Sequence, residues 1–157
     1  MDYLWAPWRF QYIRQEKPKT CILCDKPRAT TDRENYILYR GELNFIMLNA
    51  YPYNPGHLLV SPYRHTADMT QLDAAERAEH MDLLCRAVEV LREVVKPAAF
   101  NVGANLGRVA GAGIDDHFHS HVVPRWQGDT NFVTVLGDLR AVPQSLLDAY
   151  DALAGKF

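Results

Sequence analysis

The sequence holds no apolar run near the roughly 20 residues needed to cross a bilayer. It also has no surplus of either charge and only three cysteines among 157 residues. The start, Met1-Asp2-Tyr3-Leu4-Trp5-Ala6-Pro7-Trp8-Arg9, lacks the basic residue and following apolar stretch of a secretory signal, which predicts a cytoplasmic protein with no membrane partner. Seventeen Lys and Arg against nineteen Asp and Glu give a net charge of −2, so no overall field draws in a polyanion and no nucleic-acid partner is expected. An anionic substrate must be held locally. The odd cysteine count argues against a disulfide framework. Repeats, charge blocks and linkers are lacking as well, and 48% hydrophobic residues predict one domain over residues 1–157.

Within that domain, residues 1–35 show no sustained period and read as an irregular arm packed by Trp5, Trp8 and Tyr12. Short β-rich runs at Tyr36–Arg40, Asn44–Asn49 and His57–Ser61, separated by turn residues, predict an antiparallel meander. Asp73 and Glu76 have the spacing of a capping box, and Met81, Leu84, Val88, Leu91 and Val95 step along one face, predicting a long helix over Asp73–Val95. Lys96-Pro97 ends it, and Cys85 is expected to pack within it. Further strands are expected at Phe100–Gly103, His117–Val123 and Phe132–Leu136, and Pro143 is expected to open a C-terminal helix to about Ala154.

Three features carry chemistry. His117, His119 and His121 alternate in one heptapeptide; on a strand they share a face about 7 Å apart. They form either a row of reactive imidazoles or a polar strand face. Neutral imidazole suits phosphoryl chemistry, because one ring nitrogen can attack phosphorus near pH 7 while neighbouring rings steady oxygens and protonate the departing one. Upstream, glycines 103, 107, 111 and 113 make either a backbone cradle for phosphate or a loose surface connection. Cys21-x-x-Cys24 supplies half of a tetrahedral metal site, or simply two reduced thiols.

The run His117-Phe118-His119-Ser120-His121-Val122-Val123 resembles the signature of the histidine triad (HIT) superfamily of nucleotide hydrolases and transferases. Phe45–Asn49 followed by Asn54–Val60 is similar to the strand-turn-strand of that superfamily's nucleoside pocket. The resemblance implies an α+β HIT-like fold: an antiparallel sheet of about five strands, one long helix and a short C-terminal helix. It implies that His119 is the nucleophile, His121 the neighbour contacting phosphate and leaving-group oxygens, and His117 a supporting residue. His57 stands beside them; Asn49 matches the ribose contact, while Phe45, Met47 and Leu59 are either base contacts or sheet core. Asn105 and Gly111 fall in the phosphate loop. Gly113 stands where the family has Gln or Ser, so the leaving-group contact differs here.

The Trp-Ala-Pro-Trp-Arg start and the run Pro124-Arg125-Trp126 through Phe132 are similar to the bacterial branch of diadenosine tetraphosphate phosphorylases, in which phosphate accepts the nucleotide. By that resemblance Trp126, with Arg125, contacts the distal nucleotide, unless the two serve as interface aromatic and salt bridge. Zinc-containing relatives imply a structural zinc held by Cys21, Cys24, His65 and His117, with no organic cofactor. The family resemblance also implies a homodimer, extended to a tetramer if the arm takes part. His80 is expected to be a surface or packing residue. Two other functions stay open: a zinc-stabilised nucleotide-binding or sensing protein with little turnover, and a metalloenzyme ligating its metal through all three histidines.

Overall fold

A computed structural model describes residues 20–129 and 144–157. Trp5, Trp8, Tyr12, the expected strand at Phe132–Leu136 and Pro143 lie outside the described residues. Among the described residues, five strands form one antiparallel sheet: β1 (Ile37–Arg40), β2 (Asn44–Leu48), β3 (Leu58–Pro62), β4 (Ala99–Ala104) and β5 (Ser120–Arg125), in the spatial order β1-β2-β3-β5-β4. Two short helices, α1 (Ile22–Asp25) and α2 (Asp32–Asn35), precede the sheet; α3 (Ala74–Val94) and α4 (Leu146–Leu153) follow β3 and β5 in the chain. This is the expected α+β fold, with β5 inserted beside the meander β1-β2-β3.

Asp73 caps α3. Its carboxylate accepts the Glu76 N–H at 2.9 Å and the Glu76 carboxylate accepts the Asp73 N–H at 2.8 Å, so two otherwise unpaired donors are satisfied. The buried stripe of α3 is Glu76, His80, Leu83, Leu84, Ala87, Val90 and Leu91. Of the expected face, Leu84 and Leu91 are buried and Val88 and Val95 pack against the same core, whereas Met81 does not. Met81 is 59% exposed, and Cys85 is an exposed free thiol, not a packing residue. The ambiguity arose because residues 80 and 76 are polar, so an apolar-only pattern steered to Met81 instead. α4 starts at Leu146 behind a Ser145 N-cap, later than the start expected at Pro143.

Alternation along the strands divides the core in two. Ile46, Leu48, Leu58, Val60 and Val122 face α3 and α4, meeting Leu84, Leu91, Tyr150 and Leu153; each fully buried aliphatic chain contributes about 1.5–3 kcal/mol. On the opposite face Phe45, Met47 and Leu59 pack with Leu23 and Ile37 in a smaller cluster. The β2–β3 loop closes through Asn49 N–H to the His57 carbonyl at 2.9 Å. It turns at Gly56, whose φ of +73° and 3.2 Å clearance to Leu91 exclude a side chain. Pro124 is tolerated in β5 because β3 pairs only with Ser120, His121 and Val122, and the Pro124 carbonyl takes the Asn54 amide at 2.8 Å.

Candidate active site

Regular strand pairing begins at Ser120, later than the His117 start expected from the sequence. That shift changes what the three alternating histidines do. His119 and His121 still lie together, rings edge-on with centroids 4.9 Å apart. His117, ahead of the ladder, turns its ring elsewhere: Nδ1 is 3.3 Å from Cys21 Sγ, 3.4 Å from Cys24 Sγ and 3.3 Å from His65 Nδ1. The triad is therefore a pair plus one.

Hydrogen bonds fix which nitrogen of each neutral ring carries its proton. His119 Nδ1 donates to the His117 carbonyl at 2.9 Å, leaving the Nε2 lone pair free. His57 Nδ1 accepts the Tyr53 N–H at 3.0 Å, so its proton sits on Nε2 and is donated to His121 Nδ1 at 3.0 Å. The His121 proton then resides on its own Nε2. Tyr53 covers this pair, its ring 4.7 Å from His57 and 5.9 Å from His121. Burial holds the His119 ring below the usual imidazole range against the opposing hydrogen bond to His117; burial, then the nearby His119, push His121 down to about 4. Both rings are neutral at pH 7. The site can thus offer one unprotonated nitrogen and one N–H donor side by side.

The remaining positions expected to bind substrate are scattered in character. Asn49 is turned into its own loop, accepting the Tyr51 N–H at 2.9 Å and lying 3.4 Å from His57 Nδ1. Phe45, Met47 and Leu59 are no more than 4% exposed, within the smaller core. Part of the glycine loop is paired internally: Ala110 and Ala112 donate their N–H groups to the Gly107 carbonyl and Gly111 to that of Arg108, while Asn105 Nδ2 reaches Gly111 O at 3.5 Å. Gly111 has φ +96°, whereas a Cβ at Gly113 would meet no atom within 4 Å. The Trp126 N–H donates to Asp129, and Arg125 forms a two-pronged pair with the same carboxylate, 2.6 and 2.8 Å. Arg125 is thus the salt-bridge residue of its two expected readings.

Cys21, Cys24, His65 and His117 bring four ligand atoms within 4.8 Å of one another and could hold a metal ion. Cys24 Sγ lies 3.3 Å from His65 Nδ1. A tetrahedral zinc with two sulfurs and two nitrogens has ligand–ligand edges of roughly 3.3–3.8 Å, so the sulfur–nitrogen and nitrogen–nitrogen spacings here fit that set. His117 Nε2 donates to the Pro62 carbonyl at 2.9 Å, which aims its Nδ1 lone pair into the cluster. Burial raises the Cys21 thiol above its ordinary range, and a bound cation would favour its thiolate. His119 and His121 are outside this group, which overturns the reading of three histidines around one metal.

Two residues given no role by sequence reasoning lie next to the catalytic strand and its partners. Tyr53 orients His57 through its backbone, and no side-chain pattern reports that. His80 is buried, with hydrogen bonds to Asn44 and Ser120. The signal for His80 was present: it sits four residues after Glu76 and before Leu84, on the stripe that α3 buries.

Comparison with known proteins shows the family and the fold. The HIT domain family profile matches residues 30–128. An AP-4-A phosphorylase of Mycobacterium tuberculosis is 40% identical over 98% of this chain and 83% of its own. A zinc-bound histidine triad family protein of Mycobacterium smegmatis superposes with a TM-score of 0.63 at 28% identity, covering 77% of this chain and 82% of that one. A hypothetical histidine triad nucleotide-binding protein of Sulfolobus tokodaii gives 0.65 at 25% identity, covering 85% of this chain and 91% of that one.

Proposed function

Since the chain belongs to the HIT domain family of nucleotide-processing enzymes, we propose that it is a nucleotidyltransferase that splits dinucleoside polyphosphates by passing a nucleotide through His119 to phosphate. The observation carrying this reading is the opposite protonation of adjacent rings, a bare Nε2 on His119 beside an N–H on His121. His119 Nε2 forms a bond to the α-phosphorus while the phosphorus–oxygen bond to the remaining polyphosphate breaks, its electron pair leaving on oxygen. His121 Nε2–H donates a hydrogen bond to that oxygen as its negative charge grows, and the remaining polyphosphate departs as the anion. An oxygen of phosphate then attacks phosphorus, the nitrogen–phosphorus bond breaks, and His119 recovers its lone pair. His57 holds the His121 tautomer; His117 holds that of His119 through its carbonyl.

The 40% identical phosphorylase supports phosphate over water as acceptor. Asn49 is assigned to ribose, and Phe45, Met47 and Leu59 to the wall behind the base. Asn105, Gly111 and Gly113 are assigned to the phosphate chain and Trp126 to the distal nucleotide. Zinc in the Cys21, Cys24, His65 and His117 set would supply structural bonding only, a tether between the segment around α1 and the residues leading into β5. A homodimer is supported by β4, an edge strand exposed along Ala99–Ala104 apart from a half-buried Phe100.

Incubation with diadenosine tetraphosphate tests the chemistry and the acceptor together. ADP and ATP formed only when phosphate is present establish phosphorolysis; AMP and ATP without phosphate establish hydrolysis. His119→Ala is expected to abolish both turnover and the labelled nucleotidyl-protein intermediate. Tight nucleotide binding with no such intermediate in the unmodified protein would instead favour a binding or sensing role.

A further inference from the structure

Between α3 and the sheet lies a buried polar chain whose purpose is not packing. Ser120 Oγ, His80 and Asn44 are all within 6% of full burial. Polar groups in such a place cost free energy unless every atom is paired, and apolar residues of similar shape serve stability equally well. Here the pairing is complete and runs in one direction. Both Asn44 Nδ2 protons are used, on the Glu76 carbonyl at 3.1 Å and the Glu79 carboxylate at 2.9 Å, so Asn44 presents Oδ1 to His80. His80 Nδ1 donates to that oxygen at 2.9 Å, and His80 Nε2 accepts the Ser120 hydroxyl at 2.9 Å. The chain Ser120 to His80 to Asn44 to Glu79 ends on an anion that also takes the N–H groups of Glu42 and Leu43. Each bond polarises the next.

Its point of attachment is what matters. Ser120 is the first paired residue of β5, opposite Val60 on one side and Ala104 on the other, and is flanked by His119 and His121, whose side chains leave from the opposite face. A rotation of the backbone at Ser120 swings both rings. The residue before His119 is held as well: the Phe118 N–H donates to the Thr66 carbonyl, its carbonyl accepts the Ser61 hydroxyl at 3.1 Å, and its ring packs 5.1 Å from the His80 ring. His80 thus touches both neighbours of His119 from behind the sheet.

We infer that His80, acting through Ser120, is a positioning residue that sets the angle at which β5 presents His119 and His121 to the phosphorus. The inference rests on the reading that these two rings perform the transfer. A displacement near 1 Å of a reacting group costs on the order of a hundredfold in rate. Loss of the tether is accordingly expected in kcat, with substrate affinity left alone.

The test compares Ser120→Ala, His80→Leu and His80→Gln with the unmodified protein and with His119→Ala, following diadenosine tetraphosphate consumption in saturating phosphate. Glutamine retains one donor for Asn44 and one acceptor for Ser120, whereas leucine retains neither. Ser120→Ala and His80→Leu are expected to lower kcat by roughly tenfold or more with KM within about twofold, and His80→Gln to stay within about threefold. The imidazole nitrogen resonances of His119 and His121 should shift in Ser120→Ala and remain near their original positions in His80→Gln. If His80→Leu fails to fold, the Ser120→Ala and His80→Gln pair decides alone. An unchanged kcat in Ser120→Ala, with His119→Ala inactive, overturns the positioning role. Full turnover by His119→Ala removes the site reading itself, and the inference with it.

Discussion

Acid should destabilise this protein through His80 by an amount the structure sets. His80 is 6% exposed, and burial lowers its ring to about 4 from the ordinary 6.5. The unfolded chain therefore binds a proton between pH 6.5 and 4 that the folded chain refuses. Stability contributed by the neutral ring is intact above 6.5 and is lost as pH falls through that window. For one group the full loss is about 3 kcal/mol, and about 2 kcal/mol of it has occurred by pH 5. Protonation has a clear local cost, because His80 Nε2 would face the Ser120 hydroxyl as a second donor where it now accepts. The assay is urea unfolding of the unmodified protein and of His80→Gln, each at pH 7.5 and pH 5. The two proteins differ only at residue 80, so the difference between the two pH responses isolates His80. The unmodified protein should lose about 2 kcal/mol more than the variant. Equal losses would mean that His80 is not held as a buried neutral ring, and the chain from Ser120 to Glu79 would not run as described.

Other outcomes follow from the same contacts. Cobalt added to the metal-stripped protein should give the visible absorption of a tetrahedral site with two thiolates; Cys24→Ser should alter it, and no spectrum in the unmodified protein would refute the four-residue site. His57→Leu, which leaves His121 Nδ1 without its donor at 3.0 Å, should lower kcat about a hundredfold with little change in KM; an unaltered kcat would show that the His121 tautomer is set otherwise. Gly113→Ser should leave the free energy of unfolding within about 0.5 kcal/mol, since an added Cβ meets no atom within 4 Å, and a hydroxyl there should raise turnover if the leaving-group contact is what this position lacks. A fall in turnover would assign Gly113 to backbone approach instead.

The periodic elements were legible because their signals are local. The α3 cap depends on residues three apart, and β1, β2 and β3 are short β-rich runs between turn formers. The alternating histidines, the Cys-x-x-Cys pair and the nucleoside strand-turn-strand were legible for the same reason, and they led to the α+β fold and the family. The face that α3 buries was legible at Leu84 and Leu91 but not at its start, because Glu76 and His80 do not look like core until Asn44 and Ser120 supply their partners from strands 30 to 40 residues away.

The sequence by itself determined the histidine spacing, and with it the chemistry available to this protein. Only the tertiary structure decided how that chemistry is divided. The ladder starts at Ser120, so His117 is free to turn toward Cys21, Cys24 and His65 while His119 and His121 stay paired. Protonation was decided there too: the Tyr53 N–H, the His117 carbonyl and the Pro62 carbonyl each claim one side of a ring. Covalent spacing fixes which side chains share a strand, but the hydrogen-bond partners that orient a ring and place its proton come from segments that meet only on folding.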